Sequence, residues 1–387
     1  MNTALQLILI CGIIIIAYLN DVFARKTKIP AVLFLIILGI LMRQASDHFK
    51  LIDFDFKTII PVLGTFGLIL IVFEGALELD YEKQKNRIIR NSFLSSLIIL
   101  AATSVAITFL LSKSTGLSFH QCLVNAIPLS IISSAIAIPS VVSMTAKTKE
   151  FITYESTFSD ILGIIYFNYA VTFSVINTGM FMKLGAELVL VTLLSLAGCL
   201  LLLFLLKKIT HLVKFILIIT VMVFLFSIGK YFHLSSLILV LVFGLFLKNL
   251  HLFSWPLFQK YFVYDKFEKD FGFLHQITAE GVFLVKTFFF IIFGFIIDFE
   301  ELLFTRTFVI SLIVVGIIYV IRAVFIRLIT KSFLPITFIS PRGLITILLY
   351  LSIPEEFRIP EVNAGVLFLV VLITSLMMLL GRRDRKI

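Results

Sequence analysis

What limits this chain most is a succession of apolar runs, 13 to 27 residues long, broken by short polar or basic stretches. In lipid no water is present to satisfy a peptide group, so each run must close its hydrogen bonds internally as a helix. A hydrophobic share of 60% against 14% charged residues leaves no soluble domain to set beside them. The expected class is an all-α polytopic membrane protein.

Thirteen spans can be read in order: Leu5–Leu19, Pro30–Met42, Thr58–Leu79, Ser92–Leu111, His120–Thr145, Phe151–Ile176, Gly185–Leu206, Lys214–Tyr231, Leu234–Leu247, Gln276–Ile297, Leu303–Ile329, Leu334–Ser352 and Val362–Leu380. The first has no basic residue before it and Arg25, Lys26 and Lys28 after it, so it reads as a retained span with its N-terminus outside rather than a cleaved signal peptide. Alternate loops then carry most of the basic residues, among them Lys83, Lys85, Arg87, Lys147, Lys149, Lys207 and Lys208. Arg382, Arg383 and Arg385 lie in the tail. That bias puts the C-terminus in the cytosol, and the membrane expected is a bacterial inner membrane. The net charge of +10 is therefore topological: the basic residues form no stripe, and no nucleic-acid partner is expected. Cys11, Cys122 and Cys199 sit in apolar runs without metal spacing. Lys248–Phe273, with Trp255 and mixed charge, reads as an interfacial segment linking two halves. The tail after Leu380 is too short for a regulatory domain.

One span breaks the apolar rule. Tyr154-Glu155-Ser156-Thr157-Phe158-Ser159-Asp160 opens a segment that continues apolar to Val171. Asp160 would then lie roughly 10 to 15 Å inside, at ~1.5 Å per residue. An ionised carboxylate there costs at least ~2.5 kcal/mol. A bound cation or a bound proton offsets that cost, which makes the stretch a transport-site candidate. Ser156 and Asp160 are four residues apart, as are Glu155 and Ser159, so the helix carries two adjacent polar stripes. The plainer reading is a polar helix contact inside a bundle.

Two further spans hold helix breakers. Ser133-Ser134-Ala135-Ile136-Ala137-Ile138-Pro139-Ser140 contains Pro139, which removes a donor and disfavours helix at Ile138, freeing carbonyls. Ile339-Ser340-Pro341-Arg342-Gly343 interrupts the twelfth span beside a charge. Paired interruptions point to a transporter site between inverted repeats. Glu74, in Val72-Phe73-Glu74-Gly75, is a third intramembrane acid, and Lys286, Arg322 and Arg342 are intramembrane cations.

The strings FEGALELD, AIP, YESTFSD, IRAVF and SPRG, in that order, resemble the monovalent cation/proton antiporter superfamily, in its sodium/proton exchanger branch. The resemblance covers nearly the whole chain. It implies inverted repeats with two crossing broken helices, a core bundle of about residues 92–176 and 276–380, and scaffold helices of about 1–57 and 185–250. It implies a homodimer in membrane lipid, no cofactor beyond the transported cation, and no enzyme activity. By it, Asp160 is the ion- and proton-binding acid, and Ser156, Ser159, Glu74 and the Ala137 carbonyl complete the coordination. Glu155 and Arg322 form a structural ion pair, and Arg342 steadies the second break or screens helix ends. Ser159 stands where the family usually has Asn. Ala137-Ile138-Pro139 stands where it usually has Thr-Asp-Pro.

The expected activity is secondary antiport of a monovalent cation, sodium first and lithium or potassium next, for a proton. Arg322 cannot lose its proton, which leaves Asp160 to trade a cation for a proton one for one. Two other classes stay open. An organic-anion carrier would use Arg342, Lys286 and half-helix N-termini, and a cation channel would need a filter repeat that the chain lacks. No HExxH metal motif is present.

Overall fold

Every regular element among the described residues is helical. The computed structural model describes residues 3–27, 30–49, 56–142, 144–172, 178–208, 215–232, 234–253, 255–256, 267–297, 304–330 and 336–381. In chain order the helices are α1 (Thr3–Thr27), α2 (Ala31–Phe49), α3 (Phe56–Glu78), α4 (Asn86–Thr115), α5 (Phe119–Ser130), α6 (Ser134–Ser140) and α7 (Ala146–Thr172). There follow α8 (Thr178–Lys208), α9 (Phe215–Tyr231), α10 (Ser236–Lys248), α11 (Phe267–Ile296), α12 (Thr305–Thr330), α13 (Leu344–Leu351) and α14 (Ala364–Gly381). Short 3-10 turns occupy Lys83–Lys85, Leu250–Leu252, Ile336–Phe338 and Glu355–Phe357. Taking α5 with α6 as one broken span gives thirteen helices among the described residues.

Among the described residues, six helical stretches are long and apolar enough to cross a bilayer: Lys83–Thr115, Phe119–Ser140, Gly185–Lys208, Phe267–Ile296, Thr305–Ile329 and Ala364–Gly381. Four shorter apolar helices accompany them. The chain is a multi-pass membrane protein. Helix α7 is long but not among the six, because its middle carries Glu155, Ser156, Thr157, Ser159 and Asp160. All five are buried, so protein rather than lipid surrounds them.

The chain divides into two compact units. The first comprises Met1–Gly64, Arg87–Gly163 and Leu284–Ile387; the second comprises Thr65–Asn86 and Ile164–Phe283. In the second, α10 packs on α8 and α9. Gly244 lets α10 close on Phe73 and Ala76 of α3, where a Cβ would come within 2.6 Å of the alanine methyl. Asn249, just past α10, donates to the carbonyl of Leu79 and accepts the amide of Tyr81, fixing the end of α3.

In the first unit α12 packs on α14, and α13 on α5. Helices α2 and α11 touch backbone to backbone through Gly39 and Gly294, with the Ile291 carbonyl directly over Gly39 and the Ile36 carbonyl directly over Gly294. Arg43 of α2 donates to the carbonyls of Ile296 and Ile297 at the end of α11.

Two expectations are corrected. Pro139 does not mark the first break: it lies inside α6, and Pro128 lies inside α5, so the two prolines flank an interruption at Ile131–Ser133. A proline deletes one helical hydrogen bond, which a membrane helix tolerates. A full break needs partners for several consecutive peptide groups, and in this span the amides of Ile132, Ser133 and Ser134 have them. The supposed interfacial link Lys248–Phe273 also shrinks. Residues 257–266 lie outside those described, and Phe267–Phe273 already belong to α11, whose first turn carries Glu268 and Asp270, acids that suit a helix N-terminus.

Candidate functional site

Helix α5 starts where Ser118 accepts the amide of Gln121, and it stops when Ile131 turns extended. Ending a helix inside a membrane strands its last carbonyls and the next amides. Here three successive amides and two carbonyls at the break have partners. The amide of Ile132 donates to Ser159 Oγ at 2.9 Å, that of Ser133 to the Pro341 carbonyl at 2.9 Å, and that of Ser134 to Asp160 Oδ2 at 3.0 Å. On the other side of the break, Arg342 donates through Nε to the Leu129 carbonyl at 2.8 Å and through Nη2 to the Ser130 carbonyl at 3.3 Å. Its Nη1 goes to the carbonyl and hydroxyl of Ser340. A fixed positive charge thus meets the negative end of α5.

The second interrupted segment, Ile339–Gly343, crosses the first through that Ser133–Pro341 hydrogen bond. Gly343 makes the crossing possible, since a Cβ there would fall 2.5 Å from Ser133 Oγ and 2.9 Å from Ser133 Cβ. Thr374 of α14 accepts the Arg342 amide at 3.0 Å and anchors the segment from behind. Gly343→Ala is therefore expected to spread the crossing and slow any transport several-fold without preventing membrane insertion. A flux assay at matched protein levels checks this, and wild-type rates would show that the crossing can give.

Four residues upstream of Ser159, α7 changes its chemistry. Glu155 is fully buried, as is Arg322 of α12, and they form a two-pronged pair: Nη2 to Oε2 at 2.7 Å and Nη1 to Oε1 at 3.1 Å. Ser95 of α4 donates to the same Oε1 at 2.5 Å. Arg322 spends its other donors on the Ile336 carbonyl. Each of the two buried arginines thus places four side-chain hydrogen bonds within the fold. Ile152 and Ile326, each about one turn from Glu155 or Arg322, belong to a buried apolar cluster with Ile99, Ile136, Phe151 and Ile339, and a pair removed from water keeps more of its attraction.

The sequence candidates thus fall as follows. Asp160, Ser159, Glu155, Arg322, Pro341, Arg342 and Gly343 all belong to one constellation in the first unit. Ser156 lies beside them on α7, its hydroxyl donating to the Ile152 carbonyl at 2.8 Å, so that its oxygen keeps lone pairs for another donor or a cation. Ala137 is inside α6, and its carbonyl accepts Ser140 Oγ at 2.6 Å; the peptide groups opened by the break are those next to Ser133 instead. Glu74 is half-buried on α3 and belongs to the second unit, where the neighbouring Glu78 pairs with His275. Lys286 is half-buried on α11.

Sequence reasoning passed over Ser95, Thr374 and the Ile336 carbonyl. A signal for Ser95 was available: Ser92, Ser95, Ser96, Thr103, Ser104 and Thr108 repeat at helical spacing on α4, and all are buried. A backbone carbonyl leaves no such trace.

A family model described as "Sodium/hydrogen exchanger, transmembrane" matches residues 11–380. The sequence has no match among curated proteins. The fold is that of the sodium proton antiporter MjNhaP1 from Methanocaldococcus jannaschii: its structure at pH 8 aligns with a TM-score of 0.73 at 19% identity, covering 98% of this chain and 99% of that one. An electron-microscopy structure of the same antiporter aligns at 0.69 and 18% identity, covering 98% and 95%.

Proposed function

The chain belongs to the sodium/hydrogen exchanger family, a family of transporters rather than enzymes, and on that premise we propose that it exchanges a monovalent cation for a proton at Asp160. The observation that carries the reading is a buried carboxylate that meets the amide of an interrupted helix at 3.0 Å. Such a group has a place for one positive charge and offers it to either a proton or a hard cation. Sodium is the cation proposed first, with lithium and potassium as the variants to compare. Oxygen donors for it are at hand in Asp160, in Ser156 and Ser159, and in the carbonyls beside the break. No cofactor takes part.

Charge counting supports one-for-one exchange. Glu155 and Arg322 cancel, and Arg342 stays cationic. With Asp160 ionised the buried charges of this bundle sum to zero; with a sodium ion or a proton bound they sum to one positive charge in both cases. The two loaded states are electrically alike, so a membrane potential has nothing to bias. Proteoliposomes with a pH-sensitive dye inside test this. Sodium, lithium and potassium gradients should drive proton flux to different extents, and clamping the potential should leave the end point unmoved. A voltage-dependent end point would refute electroneutrality, and no cation-driven flux at all would refute the exchange itself.

An organic-anion carrier is the weaker reading, because Arg342, one of the two cations it would use, already donates to Leu129, Ser130 and Ser340. The proposal includes an N-terminus outside and a C-terminus in the cytosol of an inner membrane, supported by the basic loops, and a homodimer, which cross-linking in native membranes would test.

A further inference from the structure

We infer that the Thr157 hydroxyl is a further ligand of the cation held at Asp160, setting affinity for the metal ion without affecting affinity for the proton. The inference rests on the exchange reading above and adds one residue to it. Thr157 is 1% exposed, and its Oγ1 has no hydrogen-bond partner among the described residues. Threonines in membrane helices normally give this hydroxyl to the carbonyl four residues back. Thr108, Thr115, Thr192, Thr220 and Thr374 of this protein all do so. At Thr157 the corresponding acceptor would be the Thr153 carbonyl, which Ser156 Oγ approaches at 3.3 Å instead.

Other buried hydroxyls here also lack a partner, among them Thr103 and Thr346. Position distinguishes Thr157 from them. It precedes Asp160 by three residues, hence about 60° around α7 and one turn below it. Three-residue neighbours on a helix face the same side. Ser156, about 40° from Asp160 on its other side, completes a rim of two hydroxyls flanking one carboxylate. A buried polar atom left without a partner lowers stability unless something uses it. An alkali cation needs several neutral oxygens around a single negative one, whereas a proton needs the carboxylate alone.

The two roles open to this hydroxyl have opposite signatures. If it merely lies idle, Thr157→Val removes an unsatisfied group, leaving folding unchanged or improved and sodium binding untouched. If it is a ligand, the same variant should be at least as stable without sodium, yet its KM for sodium should rise roughly tenfold, the effect of one lost hydrogen-bond-strength contact. Its pH profile at saturating sodium should stay in place, and Thr157→Ser should restore the wild-type KM. The measurement is proton flux in proteoliposomes, paired with thermal unfolding of purified protein in sodium chloride against choline chloride. Asp160→Asn is the reference. If that variant loses the sodium response while Thr157→Val keeps a wild-type KM, the inference fails and the exchange reading stands. If Asp160→Asn keeps the response, the exchange reading fails too. Should valine prevent insertion, Thr157→Ala set against Thr157→Ser carries the same comparison.

Discussion

Asp160→Asn is expected to reduce sodium-driven proton flux in proteoliposomes to the level of empty vesicles. Asparagine has the size of aspartate, and its carboxamide oxygen can still accept the Ser134 amide, so the broken helix keeps its partner. What disappears is the negative charge. A carboxamide neither binds a proton near neutral pH nor neutralises an alkali cation, so both halves of the cycle stop together. Losing only affinity would raise KM and leave the maximal rate; losing the exchangeable group abolishes the rate at every sodium concentration. The assay is a sodium jump across vesicles containing a pH dye, with variant and wild type reconstituted at equal density. Flux that persists at the wild-type rate would remove Asp160 from the mechanism.

The second large effect concerns stability. Arg322→Ala should destabilise the protein by ~3–5 kcal/mol, because it leaves Glu155 charged and buried with only Ser95 to hold it. It also strands the Ile336 carbonyl, which takes two of the guanidinium's hydrogen bonds. Arg322→Lys should recover little, since an ammonium cannot span both carboxylate oxygens and reach that carbonyl as well. Adding Glu155→Gln to Arg322→Ala removes the uncompensated charge and should restore much of the loss. Thermal unfolding in detergent of the two single variants and the double reads the coupling directly. Damage that simply adds would mean that the pair is a neighbourly contact and no more.

How much of this could be read from the chain beforehand depends on where each feature keeps its information. The spans are legible because lipid imposes one rule on every run, and Glu155 and Asp160 stand out because they break it. The second interruption is also local, with Pro341 and Gly343 together in an apolar stretch. The first is not. Nothing in Ile131-Ile132-Ser133 announces a break, while Pro128 and Pro139 on either side suggest one in the wrong place. The helix opens where side chains from α7 and backbone from the crossing segment take up its amides, and those partners are distant in sequence. For the same reason Ala137 looked like a freed carbonyl and proves to be part of a short closed helix. The early start of α11 escaped because hydropathy marks the edge of the hydrocarbon, whereas a helix stops only when its hydrogen bonds do.

The glycine contact between α2 and α11 governs how the first unit can move. Where two backbones meet with only hydrogen atoms between them, neither helix can slide a turn along the other: the residues one turn away that would enter the contact, Leu35 and Arg43 on α2 and Phe290 on α11, all carry bulky side chains. Arg43 clips the free end of the same junction. This seam behaves as a weld rather than a bearing, so whatever rearrangement the proposed exchange requires is expected elsewhere in the protein.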